Sequence, residues 1–132
     1  MSEGMPDRPL RVLVADDDPC ARGSLRLVLT LLGHAVTEAG DGAAAVSAAR
    51  ATRPHLALLD LAMPHGDGLM VARAIRKDPS LHGTLLVALS GYGQDEDVAS
   101  ARAAGFDQHL LKPLAFDALQ ALLCARAFRP SD

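Results

Sequence analysis

The chain has 132 residues, enough for one domain of ordinary size and too few for two. Hydrophobic residues at 49% against 22% charged provide a core and exclude a disordered chain. A net charge of −3 excludes electrostatic nucleic-acid binding as the default, and one tyrosine, three phenylalanines and no tryptophan exclude a base-stacking surface.

Residues 1–9, with Gly4, Pro6 and Pro9, read as a flexible lead-in. An apolar run over 10–15, interrupted by Arg11, is the first strand. Asp18-Pro19 opens a helix, with Asp as N-cap and Pro at the first helical position, and Leu25, Val28, Leu29 and Leu32 follow at i, i+3, i+4, i+7. Gly33 stops it, and residues 34–39 form a weaker, more polar strand. An alanine-rich helix over 41–52 ends before Pro54, and 56–59 is a wholly apolar strand. Residues 67–77, with Leu69, Val71, Ala72 and Ile75, form a helix that ends before Pro79; Gly83 precedes the strand 85–89. Segment 95–104 is helical up to Gly105, with Asp95, Glu96 and Asp97 in the first turn, where acids favour the macrodipole. A short strand at 110–111 precedes a last helix marked by Ala115, Leu119, Leu122 and Leu123, and 129–132 is a tail.

Five strand–helix units of about 20–28 residues suit βαβ crossovers. Strands that are apolar on consecutive positions suit a parallel sheet covered on both faces. Right-handed crossovers then favour an α/β, doubly wound five-stranded parallel sheet with helices on both faces; five strands make it flavodoxin-like, and the order 2-1-3-4-5 is what likeness to that fold implies. Residues 10–128 form its single domain. No apolar stretch approaches the roughly 20 residues of a membrane span, and Met1-Ser2-Glu3-Gly4 lacks the regions of a secretory signal. Cys20 and Cys124 match no metal spacing and read as thiols of a reducing compartment, so a cytoplasmic location is expected. Met1 and the polar end Pro130-Ser131-Asp132 suit a complete small protein; a piece of a longer chain is the other reading.

The residues directly after the strands carry the chemistry. Val14-Ala15 is followed by Asp16-Asp17-Asp18, Leu58-Leu59 by Asp60, Ala88-Leu89 by Ser90-Gly91 and Leu110-Leu111 by Lys112-Pro113. The carboxyl ends of parallel strands share one edge, and ligands bind there at the switch point. With Asp18 assigned as a cap, three carboxylates, a hydroxyl and an ammonium converge on one crevice. At about 4 Å and an effective dielectric near 20, each pair of acids costs on the order of 4 kcal/mol. A cation or raised pKa values must offset this, and oxygen-only ligands favour Mg²⁺ over zinc. A carboxylate beside Mg²⁺ is a competent nucleophile toward phosphorus, with Lys112 and Ser90 to neutralise the equatorial oxygens.

Val12-Leu13-Val14-Ala15-Asp16-Asp17-Asp18-Pro19, Leu58-Leu59-Asp60-Leu61-Ala62-Met63-Pro64, Asp67-Gly68, Leu89-Ser90-Gly91 and Lys112-Pro113 resemble the receiver domain of two-component response regulators over about residues 10–125. The resemblance implies that Asp60 takes a phosphoryl group from a phosphohistidine of a sensor or hybrid histidine kinase, or of a phosphotransfer protein. It also implies that Asp17 binds Mg²⁺ directly, Asp16 through water, and the backbone carbonyl of Ala62 completes the protein ligands with Asp60. Ser90 would hydrogen-bond the phosphoryl group, and Lys112 would pair with it beside a Lys112-Pro113 bond that is usually cis. The aromatic switch position, three places before the lysine, is His109 here, a departure from the usual Tyr or Phe. Gly91-Tyr92-Gly93-Gln94 and 105–110 are similar to receivers attached to hybrid histidine kinases.

The expected function is a phosphorylation-dependent signalling switch. Ser90 and His109 would move and remodel the face of helix 4, strand 5 and helix 5 for a downstream protein. Such a receiver catalyses only its own phosphorylation and slow autodephosphorylation. It binds neither nucleic acid directly nor a membrane, and is a monomer or a phosphorylation-dependent dimer. A phosphorylation-independent scaffold is the alternative, since acidic runs are often solvated loops. A haloacid-dehalogenase-like phosphohydrolase is disfavoured, because Ala62 stands where a second acid would be needed. His109 has a plain reading as a half-buried strand residue. His34, His55, His65 and His82 read as surface residues, and Asp67 as a cap.

Overall fold

Successive side chains of a strand point to opposite faces, so a wholly apolar strand needs cover on both. The structure is a computed structural model describing residues 9–61, 63, 68–91, 95–112 and 114–127, with the main chain alone for 95–98 and 125–127. It meets that demand with β1 (Arg11–Ala15), α1 (Pro19–Leu31), β2 (Ala35–Ala39), α2 (Gly42–Thr52), β3 (Leu56–Asp60), α3 (Gly68–Lys77), β4 (Leu85–Ser90), α4 (Asp95–Ala104), β5 (Gln108–Leu111) and α5 (Phe116–Ala127). The strands form one parallel sheet, as the strand–helix alternation led us to expect, in the order β2-β1-β3-β4-β5 of the flavodoxin-like fold.

Alternation within each strand divides the core in two. Leu13, Ala15, Ala57, Leu59, Leu86 and Ala88 pack with Ala45 and Ala49 of α2, Val71 and Ile75 of α3 and Ala101 of α4. Val12, Val14, Leu56, Leu58, Val87 and Leu89 pack with Leu29 of α1 and with Leu119, Leu122 and Leu123 of α5. Each fully buried leucine contributes roughly 1.5–3 kcal/mol. β2 is an edge strand, exposed or half-buried at every position but Ala39, which explains its polar composition. No helix among the described residues is long and apolar enough to cross a membrane.

Several helix ends differ from the pattern read off the sequence. Gly33 and Gly105 do terminate helices, with φ of 94° and 109°. α2, however, closes on Arg53 at φ 48°, and the Arg11 guanidinium satisfies the freed carbonyls of Thr52 and Arg53 at 2.9 Å. Pro79 is more than a stop: it opens a one-turn 3-10 helix, Pro79–Leu81, whose N-cap Asp78 accepts from the Ser80 amide.

Two histidines expected at the surface serve the sheet instead. His34 is 6% exposed, and its Nδ1 accepts the Leu10 amide at 2.9 Å. The half-buried His55 accepts the Arg11 amide at 2.9 Å through its own Nδ1. The two rings thus take up amides at the start of β1, one on the side of β2 and one on the side of β3. His82 is exposed as expected, and His65 lies outside the described residues. Burial lowers the pKa of His34 below its ordinary 6.5. The folded state therefore resists protonation. The stabilising contribution is complete above 6.5 and is lost as pH falls from there through the lower folded value. Thermal melting between pH 7.5 and 5 should fall less steeply in His34→Gln, whose amide oxygen accepts the Leu10 N–H at any pH. Identical slopes would rule out His34 as a titrating contributor.

Candidate functional site

The strand register brings the post-strand residues to one edge. Ala15 pairs with Leu59, which sets Asp16 level with Asp60; Asp60 pairs with Leu89, and Ser90 with Leu111. Asp60 and Ser90 are the last residues of β3 and β4, and Lys112 directly follows β5. Carboxylate oxygens of Asp16, Asp17 and Asp60 lie within 4.8 Å of one another, with Asp16 and Asp60 buried and Asp17 exposed. Asp18 stands apart as the α1 N-cap, accepting from the Cys20 amide at 3.0 Å with Pro19 in the first turn.

Lys112 holds the acids together. Its Nζ lies 2.8 Å from Asp16 Oδ2 and 3.0 Å from Asp60 Oδ2. Burial works against the ammonium, yet the bonds to Asp16 and Asp60 outweigh it and raise the Lys112 pKa above that of an ordinary lysine. Asp16 Oδ2 thus meets the ammonium in a close ion pair. The other polar atoms of Asp16 are engaged: its amide donates to Ala39 O, Oδ1 accepts the Asp18 amide, and its carbonyl accepts from Arg22 Nη1. Three hard carboxylate oxygens within 4.8 Å of one another, two of them on buried side chains, fit a small, oxygen-loving dication such as Mg²⁺.

Ser90 is 9% exposed, and its Oγ lies 2.9 Å from Nε2 of the half-buried His109, so these two polar groups meet beside the acids. The imidazole tautomer decides which of them donates. Ala62, the Lys112-Pro113 bond and Asp67 fall outside the described residues. An apolar groove of about 470 Å³ between α1 and α5, lined by Leu25, Val28, Phe116 and Leu119, opens onto Asp16 and Lys112.

The close approach at Gly68 and the contact made by Arg22 escaped the sequence reading. A Cβ on Gly68 would stand 2.6 Å from the Asp60 carbonyl oxygen and 3.0 Å from Leu61 Cα, so only glycine lets α3 begin against the site. In the sequence, Gly66-Asp67-Gly68 reads as the loop that shapes the site and starts the third helix, without this close approach. Arg22, on the second turn of α1, gives no signal beyond its charge.

Comparison with known proteins bears on the same edge. A family model described as the response regulator receiver domain matches residues 12–124. The chain is 37% identical over 122 residues to the DNA-binding response regulator MtrA of Mycolicibacterium smegmatis, covering 92% of this chain and 52% of that protein. It thus spans about half the length of that curated relative. The signal receiver domain of the putative response regulator NarL from Mycobacterium tuberculosis superposes with a TM-score of 0.81 at 34% identity, covering 92% of this chain and 99% of that one. The receiver domain of a sensor histidine kinase from Pseudomonas aeruginosa, solved with magnesium coordinated in its active-site cleft, superposes at 0.83 with 28% identity, over 91% and 98% of the two chains.

Proposed function

The chain belongs to the response regulator receiver domain family, a phosphorylation-dependent signalling domain of two-component systems, and from that premise we propose that Asp60 is its phosphoryl acceptor. The observation that carries this reading is the convergence of the Asp16, Asp17 and Asp60 carboxylates, with the Lys112 ammonium bridging Asp16 and Asp60. Receiver domains interact with histidine kinases, and the proposed donor is a phosphohistidine of such a kinase or of a phosphotransfer protein. An Asp60 carboxylate oxygen attacks phosphorus, the P–N bond to the imidazole breaks, and the departing nitrogen keeps the electron pair and takes up a proton. Asp16, Asp17 and Asp60, with the Ala62 carbonyl, would hold Mg²⁺, which supplies charge neutralisation on the transferring oxygens. Lys112, released from Asp60 as that carboxylate becomes an acyl phosphate, pairs with the phosphoryl group. The groove between α1 and α5 is wide enough for apolar side chains of the donor.

Ser90 and His109 form the proposed switch. The Ser90 hydroxyl donates to the phosphoryl oxygens, and this changes its 2.9 Å contact with His109. β5 and α5, where Leu111 and Phe116 stand 53% and 50% exposed, then present an altered face to a downstream protein. We place the domain at 10–128, in the cytoplasm, with slow autodephosphorylation as its only turnover. The test is incubation with a small phosphodonor and Mg²⁺, followed by mass spectrometry. One phosphate per chain, mapped to Asp60 and absent when the metal is chelated, is the expected result. An unmodified mass, or phosphate on another residue, would overturn the assignment.

A further inference from the structure

Arg22 links three elements. Its Nη1 donates to the Asp16 carbonyl at 2.8 Å, and its Nε donates to Glu38 Oε1 of β2 at 3.0 Å. Arg26, one turn on, approaches the other oxygen of Glu38 at 3.4 Å. Both bonds of Arg22 are charge-assisted, and the planar fork of a guanidinium makes them in one fixed geometry. The Asp16 carbonyl lies in the plane of the 16–17 peptide, and that plane is rigid. Fixing its oxygen therefore fixes the direction in which the chain leaves toward Asp17. The amide end of Asp16 is already tied to Ala39. Without Arg22, the carbonyl end would lose its side-chain anchor, and Asp17, exposed and without a buried wall to hold it, would lose its aim.

We propose that Arg22, oriented by Glu38, is a positioning residue for the cation site: it sets the 16–17 peptide so that the carboxylates of Asp16 and Asp17 converge with that of Asp60. The inference deepens the Mg²⁺ reading above and rests on it. Arg22 acts through the main chain. Glu38, shared with Arg26, offsets only part of its charge; removing the guanidinium would by charge alone favour a dication, so weaker binding without it reports geometry, as for outer-shell orientation of ligands.

The experiment titrates MgCl₂ into the full chain by calorimetry and records melting temperatures in parallel. Arg22→Met keeps the apolar stem and removes the guanidinium; its Mg²⁺ Kd should rise roughly tenfold, the lower bound for loss of an outer-shell partner. Arg22→Lys, which can reach the carbonyl with a single donor, should recover part of that loss. Glu38→Gln leaves the arginine in place and should fall between wild type and Arg22→Met. The pair combined should bind no more weakly than Arg22→Met alone, because both changes act on one contact. A wild-type Kd in Arg22→Met or Glu38→Gln, even with a lowered melting temperature, makes Arg22 merely structural and overturns the inference. Absence of Mg²⁺ binding to the wild type overturns the metal reading and this inference with it.

Discussion

Asp60→Asn takes up no phosphate, yet it should unfold at a higher temperature than the wild type in the absence of Mg²⁺. The amide cannot act as the nucleophile, which removes the chemistry. The stability gain follows from comparing charges. Carboxylates within 4.8 Å of one another repel by about 3–4 kcal/mol per pair at an effective dielectric near 20. Asp60 faces two such neighbours, although Asp17 is solvated and its share is smaller. Desolvation of a carboxylate whose side chain is only 8% exposed adds several kcal/mol. Against both stands, among the described contacts, the attraction to Lys112 at 3.0 Å, about 5 kcal/mol on the same scale. Removing the charge relieves more than it loses. A gain of about 1–2 kcal/mol, a few degrees in Tm, is expected. Millimolar Mg²⁺ should then narrow or reverse the difference, because the wild type presents one more charged ligand and binds the ion more tightly. Thermal melts with and without Mg²⁺, paired with mass spectrometry, check both halves. Phosphate on the variant, or a lower melting temperature without metal, would contradict the picture.

Lys112→Met should move stability in the opposite direction and further. The methionine replaces the stem, while Asp16 and Asp60, with side chains 1% and 8% exposed, lose their shared counter-ion. Removing one partner of a buried pair costs about 3–5 kcal/mol. The lower end applies because the Lys112 side chain keeps 29% exposure and the exchange for an apolar stem is itself mild. Mg²⁺ should restore most of the loss by supplying replacement positive charge to the same oxygens, so the Mg²⁺-induced rise in Tm is larger in the variant than in the wild type. Phosphate uptake should fall steeply even at saturating Mg²⁺, since the ammonium is then missing from the phosphoryl oxygens. Equal Mg²⁺-induced shifts in the two proteins would show that Lys112 does not neutralise the cluster.

The two substitutions separate what each charge does, and they show why this site is legible along the chain. Asp16, Asp17, Asp60, Ser90 and Lys112 each follow an apolar run, and parallel strands in one sheet must end on a common edge. The same runs, apolar on both faces, required helices on both sides. Strand count and the meeting of these five residues therefore follow from local pattern and connection rules, whereas the strand order is known only from the flavodoxin-like fold that five such units resemble. The Asp18-Pro19 cap was legible for the same reason: its partner, the Cys20 amide, lies two residues away.

Other contacts join residues with no shared period. His34 and Leu10 are 24 positions apart, His55 and Arg11 are 44 apart, and Arg22 and Glu38 are 16 apart. Each partner has an ordinary neighbourhood in the sequence. Nothing in a lone histidine between a helix and a strand says that its ring will meet the amide of another strand. The composition and order of side chains thus determined that a carboxylate-rich crevice forms at the carboxyl edge of a five-stranded sheet. Packing decided the rest: that one ammonium bridges Asp16 and Asp60, that Gly68 must lack a Cβ, and that Arg22 anchors the loop bearing the acids. Hydrophobic periodicity is a property of single elements, whereas a hydrogen bond between elements depends on how closely they dock, to within a few tenths of an ångström.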